Sequence, residues 1–209
     1  MSVVFDIHPD NPQQRLIYQA ALLIKEGGLV AVPTDSGYAV VARLDDADAA
    51  KNLRRIRGLD DRHLLTILCR DLAEIAHFAR VDNQQYRLLK LATPGPWTFI
   101  LEASKEVPRR VSHPSRKTIG IRVPQHTVLS ALIEEVGSPL LSTTFIPEGE
   151  DMPFVDYEDF VDDYKGQLEG IIVAGDVSAH PTTIIDLSGS SPEVLRVGAG
   201  NPEKLGIFS

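Results

Sequence analysis

The residues best suited to chemistry in this chain are arginines and short hydroxyls at the ends of apolar runs. Arg55-Ile56-Arg57 closes a segment with helical patterning, and Thr118-Ile119-Gly120-Ile121-Arg122-Val123-Pro124 reads as a strand. Side chains on a strand alternate between faces, so Thr118, Gly120 and Arg122 share one face while Ile119, Ile121 and Val123 pack on the other. An arginine beside a hydroxyl and a glycine suits an anion. Its planar fork holds phosphate or carboxylate bidentately, and the glycine lets a ligand approach. Ser142, Thr143 and Thr144 end a second apolar run, Thr182 and Thr183 begin a third, and Arg196 lies on a fourth. Hydroxyls and arginines without a His or Cys cluster point to binding and electrostatic stabilisation rather than to nucleophilic attack.

Two turns carry an open meaning. Pro33-Thr34-Asp35-Ser36-Gly37-Tyr38 directly follows an apolar strand. Its proline fixes φ, and Asp35 and Ser36 form turn hydrogen bonds, so it is either a structural turn or a device that presents N–H groups and hydroxyls at a sheet end. Pro94-Gly95-Pro96-Trp97-Thr98 has the same two readings, with Trp97 most simply core. Other chemistries lack their signatures. There is no G-x-G-x-x-G, no G-x-x-x-x-G-K-[ST] and no G-x-S-x-G elbow. His8, His63, His77, His113, His126 and His180 stand outside ligand spacing, which argues against a structural zinc site. His63 and His126 read as surface or capping residues, with a general-base role as the alternative.

The elements that must position these groups follow from pattern and punctuation. A first helix is predicted with Asn11 as N-cap and Pro12 at its first position, carrying Leu16, Ala20, Leu23 and Ile24 and ended by Gly27 and Gly28. Strands are predicted at 29–32, 38–44, 63–69, 97–102, 118–123, 140–144, 170–173, 183–187 and 194–197. Helices fall at about 47–57, after Asp71, after Asp82, at 127–136 and at about 157–168. Strands alternating with helices, with no long linker, favour one α/β domain around a large, mixed sheet.

The chain has 209 residues, and its 21 Lys plus Arg against 29 Asp plus Glu give a net charge of −8, which by itself disfavours a nucleic-acid partner. The distribution reverses that reading. Residues 51–70 carry net +4 and residues 105–122 net +5, whereas 148–176 carry net −9. The basic runs are either solvated faces or, if they share a face, a surface that attracts phosphates. The lone Cys69 can form no internal disulfide, and the start MSVVFDIHPDNPQQ shows no secretory leader, so a cytoplasmic location and no membrane span are expected.

Taken in order, PTDSGYAV (Pro33 to Val40), RIRGLDDRHLLTILCRDL (Arg55 to Leu72), PGPWTFIL (Pro94 to Leu101), KEVPRRV with RKTIGIRVP (Lys105 to Pro124), PLLSTT (Pro139 to Thr144), PTTIIDL (Pro181 to Leu187) and VLRVGAG (Val194 to Gly200) resemble the YrdC-like family, most closely its YciO branch. The resemblance implies a single α/β domain (α+β by some schemes) over residues 1–209, core about 12–200. It implies a YrdC/RibB-like twisted, mostly mixed open sheet with helices on its faces and a concave basic cleft. Catalytic members of the family join threonine, bicarbonate and ATP, the ATP accompanied by magnesium, into threonylcarbamoyl-adenylate and pyrophosphate for tRNA modification.

Carried over position by position, Ser36 would sit by the threonine, Arg57, Thr118, Ser142, Thr144 and Arg196 around ATP, and Arg122 and Thr182 about the threonine carboxylate. Arg55 stands where the family usually has the lysine of its catalytic Lys-x-Arg pair. Ile146 replaces an asparagine after the PLLST strand, and a family histidine is replaced at about Leu68. The expectation is a protein that binds RNA (double-stranded RNA or tRNA), a nucleotide (ATP or AMP), or both, with weak or no synthase activity and no permanently bound cofactor. Arg109, Arg110, Arg116 and Lys117 would meet RNA phosphates. The alternative is an active synthase in which Arg55 does the lysine's work.

Overall fold

The computed structural model describes residues 1–60, 63–109, 111–115 and 117–208. Arg62 of the basic run 51–70, and Arg110 and Arg116 of the run 105–122, lie outside the described residues. In chain order the elements are β1 (Val3–Asp6), α1 (Gln14–Lys25), β2 (Val30–Thr34), β3 (Gly37–Arg43), α2 (Ala47–Ile56), β4 (Thr66–Leu68), α3 (Leu72–Phe78) and α4 (Asn83–Ala92). They continue with β5 (Trp97–Glu102), β6 (Thr118–Arg122), α5 (Thr127–Val136), β7 (Leu140–Thr144), α6 (Val161–Tyr164), β8 (Gly170–Val173), β9 (Thr183–Asp186) and β10 (Glu193–Arg196).

Among the described residues the strands form a ten-stranded mixed sheet in the order β1-β8-β2-β3-β7-β4-β6-β5-β9-β10. Register assigns the faces, because residues paired across strands project to the same side. Val41, Ser142, Thr66, Gly120 and Ile100 form one such row, and Leu140, Leu68 and Arg122 form the next. On this face, the apolar stripes of α1 (Ile17, Ala20, Ala21, Ile24) and α5 (Val128, Leu129, Leu132, Ile133) close over Val30, Val32, Ala39, Val41, Leu68 and Leu140. The opposite face carries Ala31, Val40, Leu141, Ile67, Ile119, Ile121 and Phe99 under α2 (Ala49, Ala50, Leu53, Ile56), α3 (Ile75) and α4 (Leu89). Two apolar layers on one sheet explain why the central strands read as nearly continuous hydrophobic runs.

Several expectations need correction. Helix α1 begins at Gln14, and its N-cap Gln13 makes no side-chain cap bond. The predicted Asn11–Pro12 start fails because His8 Nδ1 accepts the N–H groups of Asp10 at 3.1 Å and Asn11 at 3.0 Å, while Gln13 Oε1 accepts from His8 N at 2.9 Å. That local knot occupies the chain before the helix starts. The helix expected over 157–168 is a 3-10 turn (Tyr157–Asp159) followed by the four-residue α6. Its aromatics serve a ring cluster instead: Phe160 packs edge-on to Tyr38 and Phe145, and Tyr164 on Phe145. The strand expected over 63–69 is only Thr66–Leu68, and β1 and the 3-10 turn at Pro202–Leu205 were not anticipated. Among the described residues, no helix is long and apolar enough to cross a membrane.

Candidate functional site

Beyond the reach of α1 and α5, the same face of the sheet turns polar. Ser142 and Thr66 stand in register with Gly120, and the Cβ of any residue at 120 would lie 3.1 Å from Thr66 Oγ1. Thr118, Ser142, Thr98, Thr182 and Arg122 are all buried. Arg122 is the charged centre. Its side chain is 6% exposed and pairs through Nη2 with Asp35, itself 15% exposed. Gln125 N donates to the other Asp35 oxygen at 2.9 Å. In the sheet order, β7 and β4 separate the β2–β3 hairpin from β6, so the turn carrying Asp35 must fold across them to reach Arg122. Among the described residues Arg122 Nε has no hydrogen-bond partner, leaving one buried donor available.

Arg196 joins this group from β10. Its Nε and Nη2 donate to the Thr182 carbonyl at 2.9 and 2.8 Å, and Nη2 also reaches Thr182 Oγ1 at 3.1 Å. Thr182 Oγ1 in turn lies 2.7 Å from Thr98 Oγ1. The return strand is pinned beside it, where Thr183 Oγ1 donates to the Gly200 carbonyl at 2.6 Å and accepts from Gly198 N at 2.8 Å. Burial depresses the Arg122 pKa, Asp35 opposes that shift, and the nearby Arg196 adds to it. Burial likewise depresses Arg196. An arginine starts so far above neutrality that both stay charged.

The β2–β3 turn is built for presentation. Thr34 Oγ1 donates to the Gly37 carbonyl at 2.7 Å and accepts from Ser36 N at 2.9 Å. Because the single Thr34 hydroxyl hydrogen is committed, the 3.3 Å contact between the Thr34 and Ser36 hydroxyls has Ser36 as donor.

The predicted site residues divide. Ser36, Thr118, Arg122, Ser142 and Thr182 are buried, Arg196 is an exposed residue whose guanidinium is held by Thr182, and Arg122, Thr182 and Arg196 are brought together. Arg57 caps α2 on the opposite face, donating from Nη1 to the Thr144 carbonyl at 2.7 Å and to Thr143 Oγ1 at 3.3 Å. It thus meets the residue between Ser142 and Thr144, not their hydroxyls. Burial lowers its pKa, with Tyr164 opposing. Arg55 does not stand beside Arg57 as a pair. It is exposed, bonds Asn52 Oδ1 at 3.2 Å, and lines a groove with Arg109. The reason is periodicity, since two residues apart on a helix is not one face. Lys117 is exposed at φ 54° just before β6, and Arg110 and Arg116 lie outside the described residues. Leu68, in register with Arg122, is fully buried in the α1/α5 apolar cluster.

Sequence reasoning treated Asp35 as a turn former and missed it as the partner of Arg122. The usable signal was Arg122 itself, since an arginine flanked by buried apolar neighbours needs a counter-charge. The contacts of Gln125 and Thr98 were also missed, because nothing local marks a group that closes a contact 90 or 84 residues away.

His126 borders this site and gives a pH prediction. It caps α5, accepting Leu129 N at Nδ1, and burial lowers its pKa from 6.5 although Asp35 pulls the other way. His63 is lowered by burial and by Arg57 and Arg54, against Asp60. Since the folded state prefers both neutral, their stabilisation is complete above pH 6.5 and is lost as pH falls towards the depressed values. Urea denaturation is expected to show stability falling from pH 7.5 to about 5. His126→Asn, which keeps a capping oxygen, should flatten that slope. An unchanged slope would remove His126 as its source.

A family model described as "Telomere recombination", covering Sua5, YciO and YrdC proteins, matches residues 22–198. The YciO protein of Escherichia coli K12 is 46% identical over 201 residues, covering 96% of this chain and 98% of that protein. Its crystal structure superposes with a TM-score of 0.95 at 45% identity, covering 98% of this chain and 100% of the other. A threonylcarbamoyl-AMP synthase of Pyrococcus abyssi is 28% identical over 200 residues, 95% of this chain and 58% of the relative. The P. abyssi Sua5 structure complexed with L-threonine matches with a TM-score of 0.87 at 27% identity, over 94% of this chain and 58% of that one. A sequence match across most of the chain, together with the shared mixed sheet, makes this chain a member of the Sua5/YciO/YrdC family, with a YrdC-like fold.

Proposed function

We propose that this chain binds a nucleotide and a carboxylate-bearing ligand at the Arg122–Thr182–Arg196 site, holds RNA on its basic surface, and makes threonylcarbamoyl-adenylate weakly or not at all. The observation that carries the binding half is the buried Arg122 with its unpartnered Nε, on the sheet face where Thr182 holds the Arg196 guanidinium. Two arginines that repel each other through protein are relieved by an anion placed between them. The threonine complex of the Sua5 relative supports an amino-acid carboxylate as one such anion. ATP would bring its own magnesium as part of the substrate.

The reaction needs threonine, carboxylated at nitrogen by bicarbonate, to attack the α-phosphorus of ATP and expel pyrophosphate. Catalysis of that step rests on positioning and on cations facing the developing charge. Here a buried leucine, Leu68, takes the place expected of a histidine, Ile146 that of an asparagine, and Arg55 faces solvent. Each lost polar contact costs about 1–3 kcal/mol, so the three together lower turnover by about 100-fold or more.

The test is pyrophosphate release from threonine, bicarbonate and ATP, with calorimetric titration of ATP on the same preparation. ATP binding with turnover at least about 100-fold below that of a catalytic relative is the expected result. Comparable turnover, abolished by Arg57→Ala, would establish the second reading, an active synthase, which the likeness to the P. abyssi synthase favours. Absence of ATP binding would overturn both.

A further inference from the structure

A groove of about 810 Å³ lies between α2 and the chain around Arg109, Ser112 and Pro114. Among the described residues that line it, four are cations, Lys51, Arg54, Arg55 and Arg109, and Asp48 is the one acid. Helix α2 buries Ala49, Ala50, Leu53 and Ile56 against the sheet, which leaves Lys51 and Arg55, one helical turn apart, on its outer side. Among the described residues, Lys51, Arg55 and Arg109 make no ion pair. The sheet separates this groove from Arg122, because α2 packs on the face opposite the one that carries Arg122, Ser142 and Gly120.

We propose that this groove holds the phosphate backbone of RNA, on the far side of the sheet from the small-ligand site, so that RNA and nucleotide bind at the same time. The inference rests on the RNA reading above and adds where the RNA sits. Among the described residues the lining contains no aromatic ring and no glycine-rich run of N–H donors, which favours neither base stacking nor a cradle for a single nucleotide. What the groove offers is fixed positive charge on both walls, from a helix and from a loop. That suits a ligand carrying phosphates at regular intervals and recognised by backbone and shape, as a duplex is.

Fluorescence anisotropy with a labelled RNA duplex of about 20 base pairs tests it. Wild-type protein is expected to bind with an affinity falling steeply between about 50 and 200 mM salt. Lys51→Glu with Arg109→Glu should weaken binding at least tenfold and reduce the salt slope by about two, with an unchanged thermal melt showing that the fold persists. Saturating ATP should leave wild-type RNA affinity within twofold.

Displacement of RNA by ATP would overturn the separate-face proposal, as would equal RNA binding by wild type and the double variant, although in the second case RNA binding itself would stand. No RNA binding at any salt, with ATP still bound, would remove the RNA half of the proposed function and this inference together. A low-salt dimer abolished by the same substitutions, with RNA binding unaffected, would assign the groove to the acidic 148–163 stretch of a second copy and overturn the RNA assignment.

Discussion

Replacing Arg122 with alanine is expected to destabilise the protein by about 3–5 kcal/mol, the range found when one partner of a buried ion pair is removed. The loss comes from what remains. Asp35 would be left 15% exposed, with Gln125 N as its hydrogen-bond donor and no guanidinium to offset its desolvation. In a chain of this length, each kcal/mol shifts the melting temperature by about 2–4 °C, so a fall of roughly 10 °C follows. Arg122→Lys should recover little, because an ammonium cannot reproduce a planar fork.

The decisive control is the double variant Arg122→Ala/Asp35→Ala, which should recover part of the loss by removing the stranded carboxylate. A single-variant loss below about 1 kcal/mol would mean that the pair behaves like an exposed salt bridge, and the account of a buried anion site would fail with it. Urea midpoints at constant m measure all three.

What the sequence disclosed about the fold followed from local signals. Strands 97–102, 140–144 and 170–173 and helix 127–136 coincide with β5, β7, β8 and α5. Each is bounded by local punctuation: Pro94-Gly95-Pro96 precedes β5, and the left-handed Gly137 ends α5. By contrast, β1 was invisible because it buries only Phe5 and exists by pairing with β8, more than 160 residues on. Such an edge strand carries no alternation to read. The 157–168 stretch misled in the opposite direction. Its aromatics at 157, 160 and 164 recur at helical spacing, yet the rings are drawn inward by Phe145 and Phe154, partners that no local window contains.

The same physics divides the candidate site. Residue types announced an anion site, and strand alternation correctly put Thr118, Gly120 and Arg122 on one face opposite Ile119 and Ile121. Which cations would meet was not legible, because that depends on which side of the sheet each helix packs. Arg57 and Arg55 ride on α2, and α2 covers the face away from Arg122. Proximity in sequence to a motif therefore did not translate into a shared site. The Asp35 latch was hidden for a related reason, since a turn residue reaching across two strands is a property of sheet order.

That latch depends on one backbone position, which makes Gly37→Ala the second large expected effect, a loss of about 2–5 kcal/mol. Two separate costs add. Gly37 has φ +95°, where an L side chain is strained, and its Cβ would come 2.3 Å from Pro153 Cγ and 2.6 Å from Pro153 Cβ. Pro153 cannot retreat freely, because the next residue is tied on both sides: Phe154 N donates to the Phe145 carbonyl at 2.9 Å, and Tyr38 N donates to the Phe154 carbonyl at 2.8 Å.

Gly58→Ala separates the two costs. Gly58 also has positive φ, +63°, but among the described residues nothing lies within 4 Å of a Cβ there, so the conformational cost of about 1–2 kcal/mol applies. The excess at Gly37 measures the clash, and Pro153→Gly in the Gly37→Ala background should return part of that excess. Because the turn would have to move away from Pro153, Asp35 would leave Arg122, and the ligand site should lose affinity beyond what instability alone explains. Equal losses at positions 37 and 58 in urea denaturation would show that Pro153 yields, and that the Gly37 turn does not set the position of Asp35.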